Sequence, residues 1–283
     1  MKISRLAYFG IVSLALLAAP ALLLCAQPAA PGNALVQRAL ANEIRFADDE
    51  QHPMRYRLHK ASPRYATTKD VVETRDGAVS RLIAVNNAPL SAEDEQKEQG
   101  RLSDLLRDPS RQHRRKQSEQ NDTARVLKVL RVLPNAFLYT YAGEGTGATG
   151  KVLKFTFQPN PRFEPPDFEL QPLTAMSGEL WIDPAQERVT RLEGHLQRDI
   201  DFGWGLLGRL YKGGWITIEQ ADVGNHLWRV VRFQMVMTGR IVFRTKVFDT
   251  TEIESRFEPV PVTLGYQQGI QLLQQPSATA STH

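Results

Sequence analysis

The sequence predicts an α+β protein whose main part is a long antiparallel sheet. Two observations support this fold class. First, the stretch from Ser177 to Phe257 is a series of short apolar segments separated by tight turns, and strands joined in this way must pair antiparallel. Second, a helical pattern precedes the strands and a helical insertion interrupts them midway, which is the α+β order.

The first 26 residues have the layout of a secretory signal peptide. Lys2 and Arg5 form a positive start, and Leu6 to Leu24 is apolar apart from one serine. Cleavage after Ala26 fits this layout and leaves residues 27–33 as a linker. An uncleaved membrane anchor is the alternative, because the apolar run is just long enough to span a bilayer.

The chain has a single cysteine, Cys25, at the end of this apolar run. Lipidation of Cys25 is the less favoured alternative, because the residue before a lipidated cysteine is usually small and here it is Leu24. If Cys25 leaves with the signal peptide, the mature chain has no disulfide and depends on its own core, which fits a bacterial envelope. We expect an exported monomer in the periplasm or at the outer-membrane periphery.

The charge balance argues against a nucleic-acid partner. The pI is about 9.2, but removal of Lys2 and Arg5 lowers the formal net charge from +4 to +2. Much of the remaining excess lies between Arg107 and Lys116, which is too local for a nucleic-acid surface. Its basic side chains are a candidate contact with anionic lipid headgroups, with a solvated segment as the alternative: Arg111, Arg114, Arg115 and Lys116.

The fold begins with an amphipathic helix from Ala34 to Phe46, for which Asn33 is the predicted N-cap. Strands then follow. The first alternates apolar and charged residues, as is typical of a strand with one buried and one solvent-exposed face. Asp76-Gly77 predicts a hairpin turn between the second and third strands. These strands are Met54 to Ser62, Tyr65 to Arg75 and Val79 to Val85.

A charged helical insertion occupies about residues 91–133. Ser91 to Gln120 is acidic first and basic later and has only a thin leucine stripe, which predicts a solvated helix with a break near Pro109. A second helix is predicted from Asp122 to Leu133, where Pro134 ends it.

Strands resume after this insertion. Phe137 to Tyr141 is predicted to pair with Val152 to Phe157 across the glycine-rich segment Gly145–Gly150. This segment matches the dinucleotide-binding fingerprint, but a strand follows it where the fingerprint requires a helix. We therefore interpret the segment as a hairpin loop.

The predicted meander and the C-terminal segment complete the chain. The strands of the meander are Gly178 to Asp183, Val189 to Leu196, Trp215 to Val223, Leu227 to Met237 and Ile241 to Phe257, with a turn at Gly239 between the last two. Residues 34–262 are predicted to form one domain. A short helix from Leu264 to Leu273 and a loose tail make up residues 263–283.

The sequence contains no catalytic signature. Neither a metal-binding histidine pair on a helix, nor a serine elbow, nor a cysteine nucleophile is present. His195 lies near Asp199 and Asp201 in the sequence, and His226 lies near Asp222, but polar groups on an outer sheet face explain these residues better. We expect a protein that is not an enzyme and that needs no cofactor or metal.

Large apolar side chains in the strands are the most informative feature for function. Most of them are expected to form the core, but their number favours a concave sheet whose inner face lines a cavity for an apolar ligand. Phe202 to Gly208 is a candidate rim or lid, with a tight corner as the alternative. The candidate ligand-binding residues are Tyr139, Phe155, Phe157, Trp181, Trp215, Phe233, Met235, Met237 and Phe243.

With these elements in place, the chain resembles the lipoprotein-carrier half-barrel superfamily of bacterial envelopes, and more closely a set of exported acidobacterial-type proteins. The resemblance covers roughly residues 34–257 as an order of elements, and the charged segment 91–120 departs from it. It implies a half, or incomplete, β-barrel with helices packed on its concave face, which holds acyl chains and has no reaction and no metal. The matching pieces are Gly178–Asp183, Arg188–Glu193, Lys212–Gly214, Ile218–Gln220 and Trp228.

These observations predict an exported binding protein that shelters a lipid or lipoprotein acyl chain in the cell envelope. The alternative is an envelope scaffold or interaction module with a solid core and no ligand.

Overall fold

The computed structural model describes residues 32–47, 49–148, 150–202, 208–241 and 244–275. The predicted signal peptide, Cys25, most of the predicted linker and the last eight residues of the tail lie outside these ranges. The helices are α1 (Asn33–Phe46), α2 (Ala92–Arg107), α3 (Pro109–Ala136) and α4 (Tyr266–Gln274), with a 3₁₀ helix at Phe168–Ala175.

The strands are β1 (Met54–Ser62), β2 (Tyr65–Val72), β3 (Val79–Val85), β4 (Ala88–Pro89), β5 (Phe137–Gly147), β6 (Gly150–Pro159), β7 (Met176–Asp183), β8 (Arg188–Leu196), β9 (Ile200–Phe202), β10 (Gly208–Leu210), β11 (Trp215–Asp222), β12 (Trp228–Ile241) and β13 (Arg244–Pro259). β5 and β6 form the hairpin predicted at the glycine-rich segment, so that interpretation is confirmed.

The strands described here form one antiparallel sheet. Its order is β4-β3-β2-β1-β13-β12-β11-β8-β7-β6-β5, and β10 pairs with β12 and with β9. Within the described residues β4 and β5 are the two edges and do not pair with each other, so the sheet is open. The predicted α+β fold with an incomplete barrel is confirmed.

The first and last long strands lie side by side at the centre of the sheet. Met54 in β1 opposes Pro259 in β13, and Ala61 opposes Thr251. Because no short turn connects these strands, the pairing joins the N-terminal hairpin to the end of the meander through contacts that are distant in sequence.

One face of the sheet carries a continuous line of directly paired residues from β6 to β2. Opposed residues in antiparallel strands project to the same side, so this line defines what we call the inner face. Its members are Phe155, Leu180, Leu192, Ile218, Phe233, Glu252, Lys60 and Thr67. The opposite side is called the outer face.

Helix α1 packs on the inner face and forms the largest buried cluster. Leu35, Val36, Ala39 and Leu40 lie on one stripe of the helix and are at most 7% exposed. They contact side chains of β5 to β8 and the C-terminal end of α3, including Phe155. The helical prediction from Ala34 to Phe46 is therefore confirmed, although Gly32 takes the N-cap position predicted for Asn33.

A buried ion pair holds α1 on the sheet. Arg188 Nε and Nη2 donate hydrogen bonds to the two carboxylate oxygens of Glu43, at 2.9 and 3.1 Å. The Val189 N–H (3.0 Å) and Gln220 Nε2 (2.9 Å) donate to the same carboxylate. The side chains of Glu43 and Arg188 are only 8% and 4% exposed. Four charge-assisted hydrogen bonds thus compensate the loss of water around Glu43.

Helix α2 covers the edge of β3 beyond the two residues that pair with β4. Glu98 Oε1 accepts a hydrogen bond from the Leu82 N–H at 2.7 Å, and the Arg101 guanidinium donates to the Ser80 carbonyl. These contacts satisfy backbone groups that an open sheet edge leaves unpaired. The prediction of a solvated helix is wrong for this side of α2, because Glu98 and Leu102 are buried.

Helices α2 and α4 bury a second cluster of apolar side chains against β2 and β3. Ile270 and Leu273 of α4 contact Leu102 and Leu105 of α2 together with Val72. The Leu273 carbonyl also accepts a hydrogen bond from the Arg81 guanidinium at 2.9 Å. The short C-terminal helix predicted here is confirmed, and it is a buried part of the fold.

Helix α3 is continuous from Pro109 to Ala136, so the predicted separation into two helices near residue 121 is wrong. The predicted break near Pro109 is confirmed: the Asp108 carboxylate accepts a hydrogen bond from the Arg111 N–H at 3.1 Å and caps the helix. Pro134 does not end the helix, because it lies in the last turn and only two residues follow it.

Contacts at both ends of α3 explain its continuity. Near its start, Gln112 Nε2 donates hydrogen bonds to the carbonyls of Asp76 and Gly77, both at 2.9 Å, in the β2–β3 turn. At its end, Leu133 and Ala136 lie in the cluster under α1. The helix therefore passes from the β2–β3 turn to the start of β5, the opposite edge strand.

The turn predicted at Gly239 is wrong, because Gly239 lies inside β12. It opposes Lys246 in β13 and Leu210 in β10. A Cβ atom at this position would lie 3.3 Å from the Arg209 carbonyl oxygen, so the missing side chain permits the close approach of β10. The last described pair between β12 and β13 is Ile241 with Arg244.

Gly178 is required by the close approach of β8 to β7. A Cβ atom there would lie 1.8 Å from the Glu193 carbonyl oxygen. We expect Gly178→Ala to lower the free energy of unfolding by about 2–3 kcal/mol or more, because the backbone must move. Gly100→Ala in α2 is the control, since nothing lies within 4 Å of its position, and it should raise stability by up to about 1 kcal/mol. Urea unfolding of both variants measures this, and equal effects would contradict it.

Breaking the Glu43–Arg188 pair should be costly because one buried charge loses its partner. We expect Arg188→Met to lower the free energy of unfolding by about 3–5 kcal/mol. The double variant Glu43→Leu/Arg188→Met should recover a large part of that loss, because it leaves no unpaired charge. Urea unfolding of the single and double variants measures the coupling. An additive result would mean that the ion pair does not fix α1.

Candidate functional site

The inner face changes from apolar to polar across the sheet. In the line that defines it, Phe155 to Phe233 are apolar, whereas Glu252, Lys60 and Thr67 are polar. The neighbouring line shows the same change, with Met235 on β12 directly opposite Thr250 on β13. Along these rows the inner face is apolar on β6 to β12 and polar on β13, whereas β1 and β2 contribute both kinds of residue, for example Leu58 and Lys60.

The helices bury the two ends of the sheet more completely than its centre. The cluster under α1 covers the β5–β8 end of the inner face, whereas the cluster of α2 and α4 covers the β2–β3 end of the outer face, because Val72 opposes Arg55 and has the opposite parity to Lys69. Beyond the α1 cluster, inner-face side chains such as Leu58, Phe233 and Met235 are only partly buried and belong to none of the buried clusters found among the described residues. We call this strip the inner groove. It carries Leu58, Lys60, Thr67, Lys69, Phe233, Met235, Thr250, Glu252 and Glu254.

A hollow of about 380 Å³ opens at the polar end of the inner groove. This volume falls in the range of small-molecule sites. Its lining residues are Lys60, Ala61, Ser62, Tyr65, Thr67, Lys69, Leu82 and Thr250.

Lys69 is the unusual charge in this hollow. Burial lowers the pKa of its ammonium group, and the nearby Arg115 and Arg101 lower it further, while the Glu98 carboxylate opposes the shift. Lys69 makes no hydrogen bond or ion pair with the residues that the structure describes. Its neighbour Lys60, by contrast, is paired with Glu252 at 2.6 Å. The hollow therefore contains one cation without a counter-ion.

Glu254 is a partly buried carboxyl group on the same face. Burial raises its pKa from the usual value of 4.5 to about 7, and the charges of Glu73 and Glu252 add to the shift while Arg229 opposes it. The pKa of Glu73 is raised as well, chiefly by burial. Burial also raises the pKa of the Tyr56 hydroxyl above its ordinary value. This end of the groove thus favours uncharged forms of its acids.

The structure places six of the nine sequence-predicted ligand residues on the inner face, in two different settings. Phe155 and Phe157 are at most 2% exposed in the cluster under α1, and Tyr139 and Met237 pack against it. The Tyr139 hydroxyl is occupied, since it donates a hydrogen bond to the Leu133 carbonyl at 3.0 Å. Phe233 and Met235 lie in the inner groove.

The other three predicted residues do not lie in the groove as described. Trp181 and Trp215 have the opposite parity to Leu180 and Ile216 and therefore project from the outer face. There, the Trp181 ring contacts the ammonium group of Lys154, 4.1 Å from the ring centroid. Phe243 lies outside the described residues, as do five of the seven residues of the candidate lid, 203–207.

Sequence reasoning missed the polar part of the groove. Glu252 and Glu254 are two residues apart on β13 and must share a face, but their strand partners are needed to identify that face as the inner one. The same holds for Lys69, which directly opposes Leu58.

A second hollow, of about 540 Å³, lies at the tips of the β7–β8 and β11–β12 hairpins. Its charged groups already have partners. The Asp183 carboxylate accepts hydrogen bonds from the backbone N–H groups of Ala185 and Gln186, and His226 faces Asp222 at 3.6 Å. We interpret it as a hairpin surface.

The histidines do not form a catalytic or metal site in the described part of the chain. His195 faces Glu193 at 3.0 Å, and Asp201 pairs with Arg209 at 2.6 Å, so His195 and Asp201 do not converge. No group of three histidine, cysteine, aspartate or glutamate side chains among the described residues could hold a metal ion.

Comparisons with known proteins give a structural likeness of low score. No protein-family model matches the chain, and no curated protein matches it. A crystal structure of an outer membrane lipoprotein-sorting protein domain from Vibrio parahaemolyticus aligns with 84% of this chain and 98% of its own residues, at 9% sequence identity and a TM-score of 0.29. So low a score carries no inference about what either protein binds. None of the described helices is long and apolar enough to cross a membrane.

The raised pKa of Glu254 predicts a pH-dependent stability. A carboxyl group whose pKa is higher in the folded state stabilises the fold when it is protonated, so its contribution is complete below pH 4.5 and is lost as the pH rises through 7. The shift corresponds to about 3 kcal/mol. Glu254→Gln should therefore gain about this much stability over the wild type between pH 4.5 and pH 8.5, as measured by urea unfolding. Glu93→Gln on exposed α2 controls for the loss of a carboxylate, and a gain that does not depend on pH would contradict the assignment.

Proposed function

We propose that this chain is an exported binding protein that shelters the apolar chain of a lipid or lipoprotein in the inner groove. The observation that carries the proposal is the partly buried apolar side of the groove, formed by Phe233 and Met235 beside the well-buried cluster under α1. An apolar surface that the protein's own side chains cover only in part is a common setting for an apolar ligand. Met235 adds a soft, adaptable side chain, which suits chains of varied shape.

The exported location is supported by the sequence of residues 1–26, which has the charge and hydropathy pattern of a signal peptide. A binding role rather than catalysis is supported by the groove itself. Its charged groups are either isolated, as Lys69 and Glu254 are, or paired with each other, as Lys60 and Glu252 are. No nucleophile hydrogen-bonded to a base occurs among its described residues.

A contact with anionic membrane surfaces is part of the proposal. Arg111 and Arg114 are exposed on the first turns of α3, where they could meet headgroups, and the only side-chain partner of Arg114 among the described residues is the Ser110 hydroxyl at 3.3 Å. Arg115 and Lys116 contribute less, because Arg115 pairs with Glu119 at 3.1 Å and Lys116 donates a hydrogen bond to the Arg75 carbonyl.

One observation favours the alternative of a scaffold with a solid core. Over β5 to β8 the inner face is filled by the protein's own side chains, and Phe155 and Phe157 are almost fully buried there. In a solid scaffold, the protein's own side chains would also fill the inner face over β12 and β13. Such a protein would take up no apolar probe.

Uptake of an uncharged hydrophobic dye tests the proposal. Purified mature protein should enhance the fluorescence of N-phenylnaphthylamine, and hexadecanol should displace the dye. Met235→Glu should weaken dye binding at least tenfold, because it places a charge on the apolar side of the groove. Gln234→Glu is the matched control, since the neighbouring residue lies on the outer face of the same strand, and it should leave binding unchanged.

Two outcomes would contradict the proposal. The first is protein that is folded by circular dichroism but neither takes up dye nor yields lipid on organic extraction, which would favour the solid scaffold. The second is an equal loss of binding in Met235→Glu and Gln234→Glu at equal stability, which would place the dye outside the inner groove.

A further inference from the structure

We propose that the ligand of the inner groove is an acidic amphiphile whose carboxylate or phosphate group is bound by Lys69. This inference rests on the proposed function and adds the chemical class of the ligand. The hollow that Lys69 lines is also lined by Thr67 and Thr250, which carry hydroxyl groups. An ammonium group and two hydroxyl groups are suitable hydrogen-bond donors for an anion.

The pairing of the surrounding charges singles out Lys69. Lys60 is neutralised by Glu252 at 2.6 Å, Arg101 by Glu98 at 2.7 Å and Arg115 by Glu119 at 3.1 Å. Each neighbouring cation therefore has a carboxylate partner, whereas Lys69 has none among the described residues. A partly buried ammonium group without a partner is unfavourable by itself, and a bound anion would supply the missing charge.

The register shows how an amphiphile could lie in the groove. From the hollow, Thr250 on β13 directly opposes Met235 on β12, which directly opposes Ile216 on β11. This row is uncharged and leads from the hollow to the apolar side of the inner face. An acyl chain on this row would leave its head group at Thr250, in the hollow that Lys69 also lines.

The carboxyl groups of β13 restrict an anionic head group to the β1–β2 side of the groove. Glu254 lies two strands away from Lys69, because Leu58 directly opposes both residues. Glu252 lies between Lys60 and Phe233 on the adjacent row. Both carboxyl groups belong to β13 and would repel an anion placed further along the groove. The anion is therefore favoured at the β1–β2 side and the apolar chain at the β12 side.

Displacement of N-phenylnaphthylamine from the mature protein tests this arrangement. Four competitors are compared: palmitate, a single-chain lysophosphatidate, hexadecanol and inorganic phosphate. Palmitate or lysophosphatidate should bind more tightly than hexadecanol in the wild type. Lys69→Met should weaken the acidic amphiphiles by roughly ten- to a hundredfold, the effect of losing a hydrogen-bonded charge pair, and should leave hexadecanol unchanged.

Lys69→Met should remain folded, since it removes a partly buried charge without a partner, and circular dichroism and urea unfolding check this. Lys97→Met is the matched control, because Lys97 is exposed on α2 and paired with Glu93, and it should change none of the affinities.

The possible results separate this inference from the proposed function. If hexadecanol and palmitate displace the dye but Lys69→Met affects neither, the inference is overturned and the proposed function stands. If inorganic phosphate alone binds through Lys69, as seen by calorimetry on wild type and variant, while acyl chains do not displace the dye, the site takes a free anion and both are overturned. Dye binding without displacement by any of the chains also overturns both.

Discussion

The buried pair of Glu43 and Arg188 is the interaction on which the arrangement of this protein depends most. It joins a helix at the start of the fold to a strand 145 residues later, and two further donors from β8 and β11 complete the hydrogen bonds of Glu43. The Phe46 ring lies 4.4 Å from the guanidinium group of Arg188 and shields it. Because the hydrogen bonds to Glu43 form in only one geometry, the pair fixes where α1 lies and how much of the inner face α1 covers.

An open sheet has two problems that a closed barrel avoids: its edges and its uncovered face. At the β3 edge, Glu98 and Arg101 of α2 supply hydrogen bonds that a neighbouring strand would otherwise make. These hydrogen bonds hold α2 at the β3 end of the sheet, and Glu43 holds α1 at the other end. The central strands keep a less completely covered inner face as a consequence, which is where the inner groove lies.

The division of the groove into an apolar and a polar side follows from the pairing of β12 with β13. β12 contributes Phe233 and Met235 to the inner face, whereas β13 contributes Thr250, Glu252 and Glu254. A groove of this kind is better suited to an amphiphile than to a purely apolar chain, because its polar side would otherwise lose water without compensation. The lowered pKa of Lys69 and the raised pKa of Glu254 both arise chiefly from this partial burial.

The sequence by itself determined the elements and their local connections. Alternating residues in β1, the turn at Asp76-Gly77 and the glycine-rich β5–β6 hairpin are encoded within a few residues, and so is the α1 stripe. Tertiary structure alone decided which strands without a connecting turn lie together, which face of each strand is covered, and that α3 continues through residue 121. The pairing of β1 with β13 and the Glu43–Arg188 contact depend on residues far apart in the chain. For this reason Trp181 and Phe233 look alike in sequence, although one projects from the outer face and the other lines the groove. Lys69 likewise becomes a candidate site residue only because the fold leaves it without an ion-pair partner among the described residues.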